Sequence, residues 1–119
     1  MSGSISSFSV IPVRKEPAEQ SEMETQILFG EVFYELEAVQ GWRRVRLAFD
    51  AYEGWIDEKY MVATPDREIE LWNSSPGILV TQPVIKLIRE PEKSVQYVPA
   101  GSRIAFNGEI RNSFSIGNR

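Results

Sequence analysis

The chain has 119 residues and contains no cysteine and no histidine, a length that fits one ordinary domain or two very small ones. Without cysteine there is no disulfide framework, thiolate zinc site or cysteine nucleophile. Without histidine the commonest general base and transition-metal ligand is missing. Hydrophobic residues make up 42% and charged residues 25%, which indicates a folded, soluble protein. The net charge of −4 disfavours a general nucleic-acid binder.

The chain is predicted to begin with a strand and a long loop. Apolar residues alternate with their neighbours over residues 6–13, which indicates the strand. A polar stretch with charges of both signs then predicts a loop over residues 14–25. The apolar cluster at residues 26–31 closes on Gly30, where a sharp change of direction is expected.

Two longer strands and a hairpin turn follow. Alternating apolar residues predict strands over residues 32–39 and 42–49, joined by the two-residue turn Gln40-Gly41. The next predicted elements are, in order, a turn at Asp50-Ala51, a short strand at 52–56, one helical turn at 57–61 and a last short strand near 62–63. Five or six short strands within roughly 60 residues are typical of a small β-barrel.

The core of such a barrel is expected to be rich in aromatic residues. A domain of this size buries only about 60% of the surface of its unfolded chain, so its large side chains must pack well. The expected core aromatics are Phe8, Phe29, Phe33, Trp42, Phe49 and Trp55. In this interpretation Gly54 makes room for Trp55 to enter the core.

Charged residues face one another on the two hairpin strands. Arg44 and Arg46 share one face of the second strand, and Glu35 and Glu37 of the first strand are expected to pair with them. The three arginines Arg43, Arg44 and Arg46 form a local basic patch. A surface ion-pair ladder is its expected structure, and anion binding is the alternative.

A linker helix is predicted over residues 64–73. Thr64 is expected to cap it, Pro65 to take its first position, and Asp66 to lie at the positive end of the helix dipole. The polar stretch 73–77, which includes a proline and a glycine, ends the helix.

The remainder of the chain returns to β structure. The predicted strands are 78–81, 84–88, 95–98 and 102–106, with a corner at Pro99-Ala100-Gly101 and a hairpin turn at Asn107-Gly108. About four strands would leave a barrel with open edges, and open edges recruit partners. We therefore expect the region after Thr64 either to pair with another chain, which would give a homo-oligomer, or to be poorly ordered.

Several segments of the first half carry a family resemblance. They are Val10-Ile11-Pro12-Val13-Arg14, Glu16-Pro17, Ser21-Glu22-Met23, Thr25-Gln26-Ile27-Leu28-Phe29-Gly30-Glu31, Gly41-Trp42, Val45-Arg46-Leu47 and Tyr52-Glu53-Gly54-Trp55-Ile56. Their combination resembles the amino-terminal bacterial SH3-like domain of the NlpC-type cell-wall cysteine peptidases. Residues 97–106 are similar to the stretch that opens the second SH3-like domain of these enzymes.

The resemblance implies a mainly β fold with three parts. These are a small SH3-like barrel over residues 5–63, a linker helix and loop over 64–77, and a partial second SH3-like barrel over 78–119. In that family a papain-like peptidase domain follows the SH3-like domains and cleaves murein peptides between D-glutamate and the diamino acid. The cysteine and histidine of that chemistry are absent from this chain. The resemblance thus implies a non-catalytic accessory module whose partner is a C-terminal peptidase domain.

Five residues are the candidates for ligand binding. They are Tyr52, Glu53, Trp42, Arg14 and Glu16. Exposed aromatic rings beside loops suit short peptides or sugars, because a ring buries much area at a small entropic cost. Arg14 and Glu16 lie in the family-matching loop, where they would meet the carboxylates and amine of a murein peptide. A solvated loop is the alternative interpretation.

The expected function is recognition or gating of murein-derived peptides, together with docking of the catalytic domain. In the family the first SH3-like domain can border the active-site cleft and restrict the substrate. The alternative is an SH3-like protein–protein interaction domain without a cell-wall ligand. A carboxylate enzyme built on Asp50, Asp57 and Glu58 is disfavoured, because turn and capping roles explain these residues equally well. No phosphate loop, calcium loop or metal-ligand spacing occurs, so no cofactor is expected.

The sequence also bears on cellular location. No apolar run approaches the ~20 residues that cross a bilayer, so no membrane span is expected. Residues 1–7 lack the basic and apolar regions of a signal peptide. As it stands the chain is expected to be cytoplasmic, and to be periplasmic or in the cell envelope if a leader has been removed.

Overall fold

The computed structural model of the chain describes residues 2–75, 77–81, 84–89 and 94–105. The strands are β1 Gly3–Ile5, β2 Val10–Arg14, β3 Met23–Leu28, β4 Val32–Val39, β5 Trp42–Leu47, β6 Glu53–Asp57, β7 Gly77–Leu79, β8 Val84–Arg89, β9 Ser94–Pro99 and β10 Arg103–Ala105. A 3₁₀ turn spans Glu58–Tyr60, and the helix α1 spans Asp66–Ser74. The predicted mainly β fold is confirmed.

The first six strands form one antiparallel sheet in the order β1-β4-β5-β6-β2-β3. Along β2 the side chains of Ile11 and Val13 are fully buried, while Pro12 and Arg14 face outward and are half-buried. This period of two separates an apolar inner face from a polar outer face. The buried cluster inside the sheet consists of Ile11, Val13, Ile27, Phe33, Val45, Leu47 and Ile56.

Two glycine turns confirm the predicted changes of direction. Gly41 has a φ of +82° in the two-residue turn that joins β4 to β5, where Val39 pairs with Trp42. Gly30 also has a φ of +82°, between β3 and β4. A Cβ built on Gly30 would lie 1.6 Å from the carbonyl oxygen of Arg103. Glycine is therefore required at residue 30 both for its backbone angle and for the close approach of β10.

The strand predicted over residues 6–13 is correct only from Val10, where β2 begins, because residues 6–9 form no strand and separate β2 from β1. β1 pairs with β4, whereas β2 pairs with β3 and β6. The hydroxyl of Ser6 donates to the carbonyl oxygen of Phe8 at 3.0 Å and accepts from its N–H at 3.2 Å. Such local side-chain bonds compete with strand pairing and allow the chain to leave one edge of the sheet for the other.

The last strand predicted in the first half, near residues 62–63, is also wrong. This segment makes no strand pairing and is held by isolated hydrogen bonds. In one of them the Ser4 hydroxyl donates to the Val62 carbonyl oxygen at 2.7 Å. The Thr64 N–H donates to the carbonyl oxygen of Gly3 at 2.9 Å. The chain therefore runs past β1 without extending the sheet.

The predicted aromatic core is correct in part. Phe33 is fully buried inside the sheet, Phe29 is 3% exposed in a second cluster described below, and Phe8 packs partly buried against the first cluster. Phe49, in contrast, is 88% exposed. The reason is that β5 ends at Leu47, so Phe49 falls in the turn beyond the strand.

Trp42 and Trp55 do not enter the core, and the prediction for these two residues is wrong. Both are half-buried on the outer face of the sheet. On β6 the inward positions belong to Gly54 and to Ile56, which is fully buried. A Cβ on Gly54 would lie 2.5 Å from Cγ1 of Val13, so the glycine serves close packing of β2 and β6.

The linker helix is present but begins later than predicted. Its first helical residue is Asp66, and Pro65 precedes it as the N-cap without a side-chain capping bond. Thr64 does not cap the helix. Its buried hydroxyl oxygen instead accepts a hydrogen bond from the N–H of Ile5 at 3.1 Å, which ties the linker to β1.

The second half of the chain adds two small antiparallel pairs, β7 with β10 and β8 with β9. They lie near the four predicted strands; Asn107-Gly108 and the end of the last predicted strand lie outside the described residues. One buried cluster joins these elements to the barrel: Ile5, Phe29, Val32, Ile69, Trp72, Val80, Val98 and Ile104. The domain boundaries, the completion of a second barrel and pairing with another chain stay predictions.

Candidate functional site

The outer face of β5, β6 and β2 carries most of the predicted ligand-binding residues. Antiparallel pairing places Trp42 opposite Asp57 at one end of the β5–β6 ladder and Arg46 opposite Glu53 at the other. Glu53 and Asp57 are four positions apart on β6, which corresponds to about 13 Å along a strand. The two ends of this face are therefore distinct places on the molecule.

A groove lies at the Trp42 end of the face. Its volume is about 170 Å³. The residues that line it are Pro12, Arg14, Glu19, Trp42, Asp57, Lys59 and Tyr60. We call this the Trp42 groove. Strands β2, β5 and β6, the loop before β3 and the 3₁₀ turn after β6 all contribute to it.

Local hydrogen bonds hold both walls of the Trp42 groove. The Asp57 carboxylate accepts from the N–H of Lys59 at 3.0 Å and so caps the 3₁₀ turn that carries Tyr60. On the opposite wall, the Arg14 guanidinium donates to the carbonyl oxygen of Ser21 at 3.0 Å, and the Ser21 hydroxyl accepts from the N–H of Glu16 at 2.9 Å. The loop is thereby fastened beside β2.

Tyr52 lies beyond the other end of β6, in a tight turn. Ala51 has a φ of +62°, and the N–H of Tyr52 donates to the Asp50 carboxylate at 3.1 Å. The half-buried ring packs against the barrel core beside Gly54. The phenol donates a hydrogen bond to the Glu24 carboxylate on β3. We call Tyr52 and Glu24, with the neighbouring carboxylates of Glu22 and Asp50, the Tyr52 corner.

The Tyr52 corner is strongly negative. The hydrogen bond to Glu24 raises the pKa of Tyr52 to about 12, with smaller contributions from desolvation and from the charges of Glu24, Glu22 and Asp50. The phenol therefore stays protonated at neutral pH. Acidic oxygens with an adjacent aromatic ring form a surface that attracts an ammonium group.

Glu53 is engaged in the ion-pair ladder on the outer face. It pairs with Arg44 at 2.8 Å and with Arg46 at 3.3 Å, and Arg44 also pairs with Glu37 at 2.9 Å. The predicted pairing of Glu37 with Arg44 is confirmed. Pairs this exposed contribute at most about 1 kcal/mol each to the free energy of unfolding. The main effect of the ladder is therefore to fix the positions of these charged side chains on the surface.

The predicted partner of Glu35 is wrong. Glu35 pairs with Arg43 at 3.2 Å, and Arg43 also reaches Glu58 at 3.3 Å. The pairing of β4 with β5 shifts register between Glu35 and Glu37. Such an irregularity re-aims side chains beyond it, and the simple alternation of the sequence does not reveal it.

The five candidate residues are thus divided among different places. Arg14 and Trp42 meet in the Trp42 groove, whereas Tyr52 and Glu53 lie at the far end of β6. Glu16 is exposed on the loop. Their role in ligand binding stays a prediction. Sequence reasoning missed Glu19, Glu24 and Tyr60, because only tertiary contacts place these residues beside the candidates.

The carboxylates considered for catalysis have structural partners. Asp50 and Asp57 accept bonds from backbone N–H groups in a turn and a cap, and Glu58 pairs with Arg43. Across the described part of the chain, no group of three or more acidic residues is arranged to hold a metal ion. The described segments also contain no helix with the length and apolar character of a membrane span.

Comparison with known proteins shows what the barrel is similar to. Residues 13–60 match the sequence model of the bacterial dipeptidyl-peptidase SH3 domain. Over these residues the chain is similar to a bacterial SH3-like domain. This domain type is non-catalytic, and the predicted resemblance to the SH3-like region of NlpC-type peptidases is confirmed.

The fold is similar to that of a solved NlpC/P60 family protein from Bacillus cereus. The TM-score is 0.76 at 16% sequence identity, over 92% of this chain and 49% of that one. The chain therefore spans about half the length of this structural relative. Comparison with curated protein sequences gives no match. At this identity the likeness establishes the fold, and it extends beyond the SH3-like domain into the second half of the chain.

Proposed function

We propose that this chain is the non-catalytic SH3-like module of a bacterial cell-wall peptidase, and that it binds murein-derived peptides at the Tyr52 corner. The support is the family match of residues 13–60 and the fold likeness to an NlpC/P60 family protein. The chain itself contains neither cysteine nor histidine. In this proposal a papain-like domain outside the chain performs the cleavage.

The chemistry of the Tyr52 corner carries the proposal. The Tyr52 ring is half-buried and held by its hydrogen bond to Glu24, so it offers an ordered apolar surface. The carboxylates around it suit a peptide's amino group, and murein peptides carry a free amine beside their carboxylates. A peptide whose amino group is bound at this corner could not extend further at its amino end. In this way a module beside the active site would restrict the length of the peptidase substrate.

A second surface suits docking of the peptidase domain. In the β8–β9 ribbon, Val84, Ile88, Val95 and Tyr97 share one face by their register, and each is 51–58% exposed. The opposite face packs inward through Val98. An exposed apolar sheet face of this kind is typical of an interaction surface. The greater length of the structural relative supplies the candidate occupant, a further domain of the same polypeptide.

Titration with a murein tripeptide tests binding at the Tyr52 corner. We expect the tripeptide with a free amine to change the tryptophan fluorescence of the full chain, and the N-acetylated tripeptide to do so at least tenfold more weakly. Tyr52→Phe and Glu24→Gln should each weaken binding of the free-amine peptide about three- to tenfold, the value of one hydrogen bond or ion contact. Tyr97→Phe, which alters an exposed tyrosine of the ribbon, is the matched control.

The competing function is protein–protein interaction without a cell-wall ligand. No fluorescence change at millimolar tripeptide, with the folded state verified by circular dichroism, would favour this alternative. Hydrolysis of a wall substrate by the purified chain would contradict both. An open reading frame that continues past Arg119 into a domain with cysteine and histidine would support the peptidase assignment independently of ligand binding.

A further inference from the structure

We propose that the outer face of the six-stranded sheet carries a second binding site, and that its ligand is an uncharged, extended oligosaccharide. The site is built on the rings of Trp42 and Trp55, which we call the tryptophan platform. The platform lies on the outer face, whereas the Tyr52 ring packs against the inner cluster. The proposal is independent of peptide binding at the Tyr52 corner.

The strand register places the two rings side by side. On β6 Trp55 and Asp57 face outward, since the alternate residues Gly54 and Ile56 are buried. Trp42 on β5 pairs directly with Asp57, so Trp55 is its diagonal neighbour on the same face. Diagonal neighbours of this kind are about 7–8 Å apart. Two adjacent units of one short chain can therefore lie on the two rings.

The rings of the platform are held in the sheet and remain open to a ligand. Both are half-buried. Within the described residues, neither Trp42 nor Trp55 stacks on another ring or lies under a cationic group. Trp72 differs, because the Arg103 guanidinium lies over its ring at 5.6 Å from the ring centre. An ordered and uncovered indole offers a stacking surface to the apolar C–H groups of a pyranose unit.

Each ring of the platform also offers a hydrogen-bond donor. In the part of the chain that the structure describes, the indole N–H groups of Trp42 and Trp55 have no hydrogen-bond partner. The N–H of Trp72, in contrast, donates to the carbonyl oxygen of Gly30 at 2.9 Å. A donor on the edge of an apolar ring suits a ligand that brings an acceptor together with apolar surface. Sugar units carry both.

The charges beside the platform are of both signs and are engaged with protein groups. Arg44, directly opposite Trp55, pairs with Glu53 at 2.8 Å and with Glu37 at 2.9 Å. On the other side of Trp55, Arg14 donates to a carbonyl oxygen of the neighbouring loop. A charged ligand of either sign would meet like charges as well as opposite ones here. Hydroxyl groups donate to carboxylates and accept from guanidinium groups, so an uncharged ligand rich in hydroxyls matches these neighbours.

The arrangement of the rings also favours one type of linkage. Side chains on one face of adjacent strands stand side by side, so both rings meet the ligand from the same side. A β-1,4-linked pyranose chain is extended and carries apolar C–H groups along its length, whereas an α-1,4-linked chain curves. We therefore expect a β-1,4-linked ligand. N-acetylated and unacetylated chains share this chemistry.

Nuclear magnetic resonance of the full chain tests the proposal directly, because its 3 tryptophans give separate indole N–H signals. The probes are chitotriose, which is N-acetylated, and cellotriose, which is not. We expect at least one of them to move the Trp42 and Trp55 signals together in a saturable way and to leave the Trp72 signal in place. The tighter of the two identifies the source of the ligand. Maltotriose, the α-1,4-linked control, should bind at least about tenfold more weakly.

Variants identify the stacking surfaces, with the affinity followed at the remaining indole signal. Trp42→Ala and Trp55→Ala should each weaken the trisaccharide at least about tenfold, since each removes one ring. Trp42→Phe and Trp55→Phe keep a ring and lose a donor, so each should weaken it about three- to tenfold; they serve where an alanine variant does not fold. Phe49→Ala, at a ring that is 88% exposed outside the platform, should leave the affinity unchanged.

Salt separates an uncharged ligand from a charged one. Screening weakens contacts between exposed charges, so the affinity for the trisaccharide should be the same at low and at high salt. A marked loss at high salt would assign the platform to a charged ligand instead.

Three further results would overturn the proposal. These are unmoved Trp42 and Trp55 signals at millimolar chitotriose and cellotriose, movement of one signal without the other, and equal binding of maltotriose. The Tyr52 corner is tested with a peptide that contains no sugar, and Tyr52→Phe should leave the affinity for the trisaccharide unchanged. Failure of one proposal is therefore distinguishable from failure of the other.

Discussion

The phenol of Tyr52 donates a hydrogen bond to the carboxylate of Glu24, although 28 residues separate them in the chain. The bond joins the turn before β6 to the far edge strand β3. It also accounts for the largest part of the raised pKa of Tyr52. The first prediction follows from this pairing.

Alkaline titration should reveal a tyrosine that ionises at about pH 12. Folding raises the pKa of this group, so its contribution to stability is present below pH 10 and is lost as the pH rises through about 12. The phenolate absorbance of Glu24→Gln should show that ionisation shifted toward lower pH. Glu16→Gln, which alters a carboxylate of the loop before β3, should leave the ionisation in place. An unchanged titration in Glu24→Gln would contradict the assignment.

Glu31 should make stability fall as the pH rises. Burial raises the pKa of Glu31, with an opposing effect of the hydrogen bond it accepts from the N–H of Leu28 and a further increase from Asp50. Its favourable contribution is therefore complete below pH 4.5 and is lost as the pH rises through the raised pKa.

Urea unfolding at several pH values measures this effect. Glu31→Gln keeps an acceptor for the N–H of Leu28 and removes the ionisable group. Between pH 4 and 7 the free energy of unfolding of the parent chain should therefore fall relative to that of Glu31→Gln. Glu70→Gln, at an exposed position on α1, is the control. Parallel pH dependences of the parent and Glu31→Gln chains would show that the carboxylate ionises without constraint.

Two glycines with the same backbone angle should differ in their tolerance of alanine. Gly30 and Gly41 both have a φ of +82°, but only a Cβ on Gly30 meets a backbone atom, 1.6 Å from the oxygen of Arg103. Gly41→Ala should cost about 1–2 kcal/mol for the left-handed angle alone. Gly30→Ala should cost about 3 kcal/mol or more, because β10 must also move. Equal losses in urea unfolding would contradict the close approach.

The buried indole of Trp72 should be important for joining the helix to the barrel. It is 5% exposed, and its N–H donates to the carbonyl oxygen of Gly30 at 2.9 Å. Trp72→Phe leaves that buried carbonyl without its donor, for an expected loss of about 1–3 kcal/mol. Leu71→Ala, whose side chain is 56% exposed on the same helix, should change the free energy of unfolding by less than about 0.5 kcal/mol beyond helix propensity.

Much of the barrel could be predicted from local signals. The glycines at residues 30 and 41 and the alternation along β4 and β5 place the turns and strands correctly. Alternation alone does not predict which face of β6 is buried, because Trp55 and Ile56 are both apolar. The buried face is determined by close packing against the neighbouring strand β2. Glu24 on β3 was not predicted as a site residue, since only the folded sheet brings it to Tyr52.

Because of the buried cluster that joins the two halves of the chain, the second half depends on the first for its packing more than the first depends on the second. The inner core of the barrel and the hydrophobic residues packed against it all lie between Phe8 and Met61. The strands after α1, in contrast, bury their side chains against Ile5, Phe29 and Val32 of the first half. The residues that complete the barrel core are therefore all synthesised before α1 and the strands that follow it. The later strands then form on a finished surface, with Gly30 as the point where both Trp72 and Arg103 make contact.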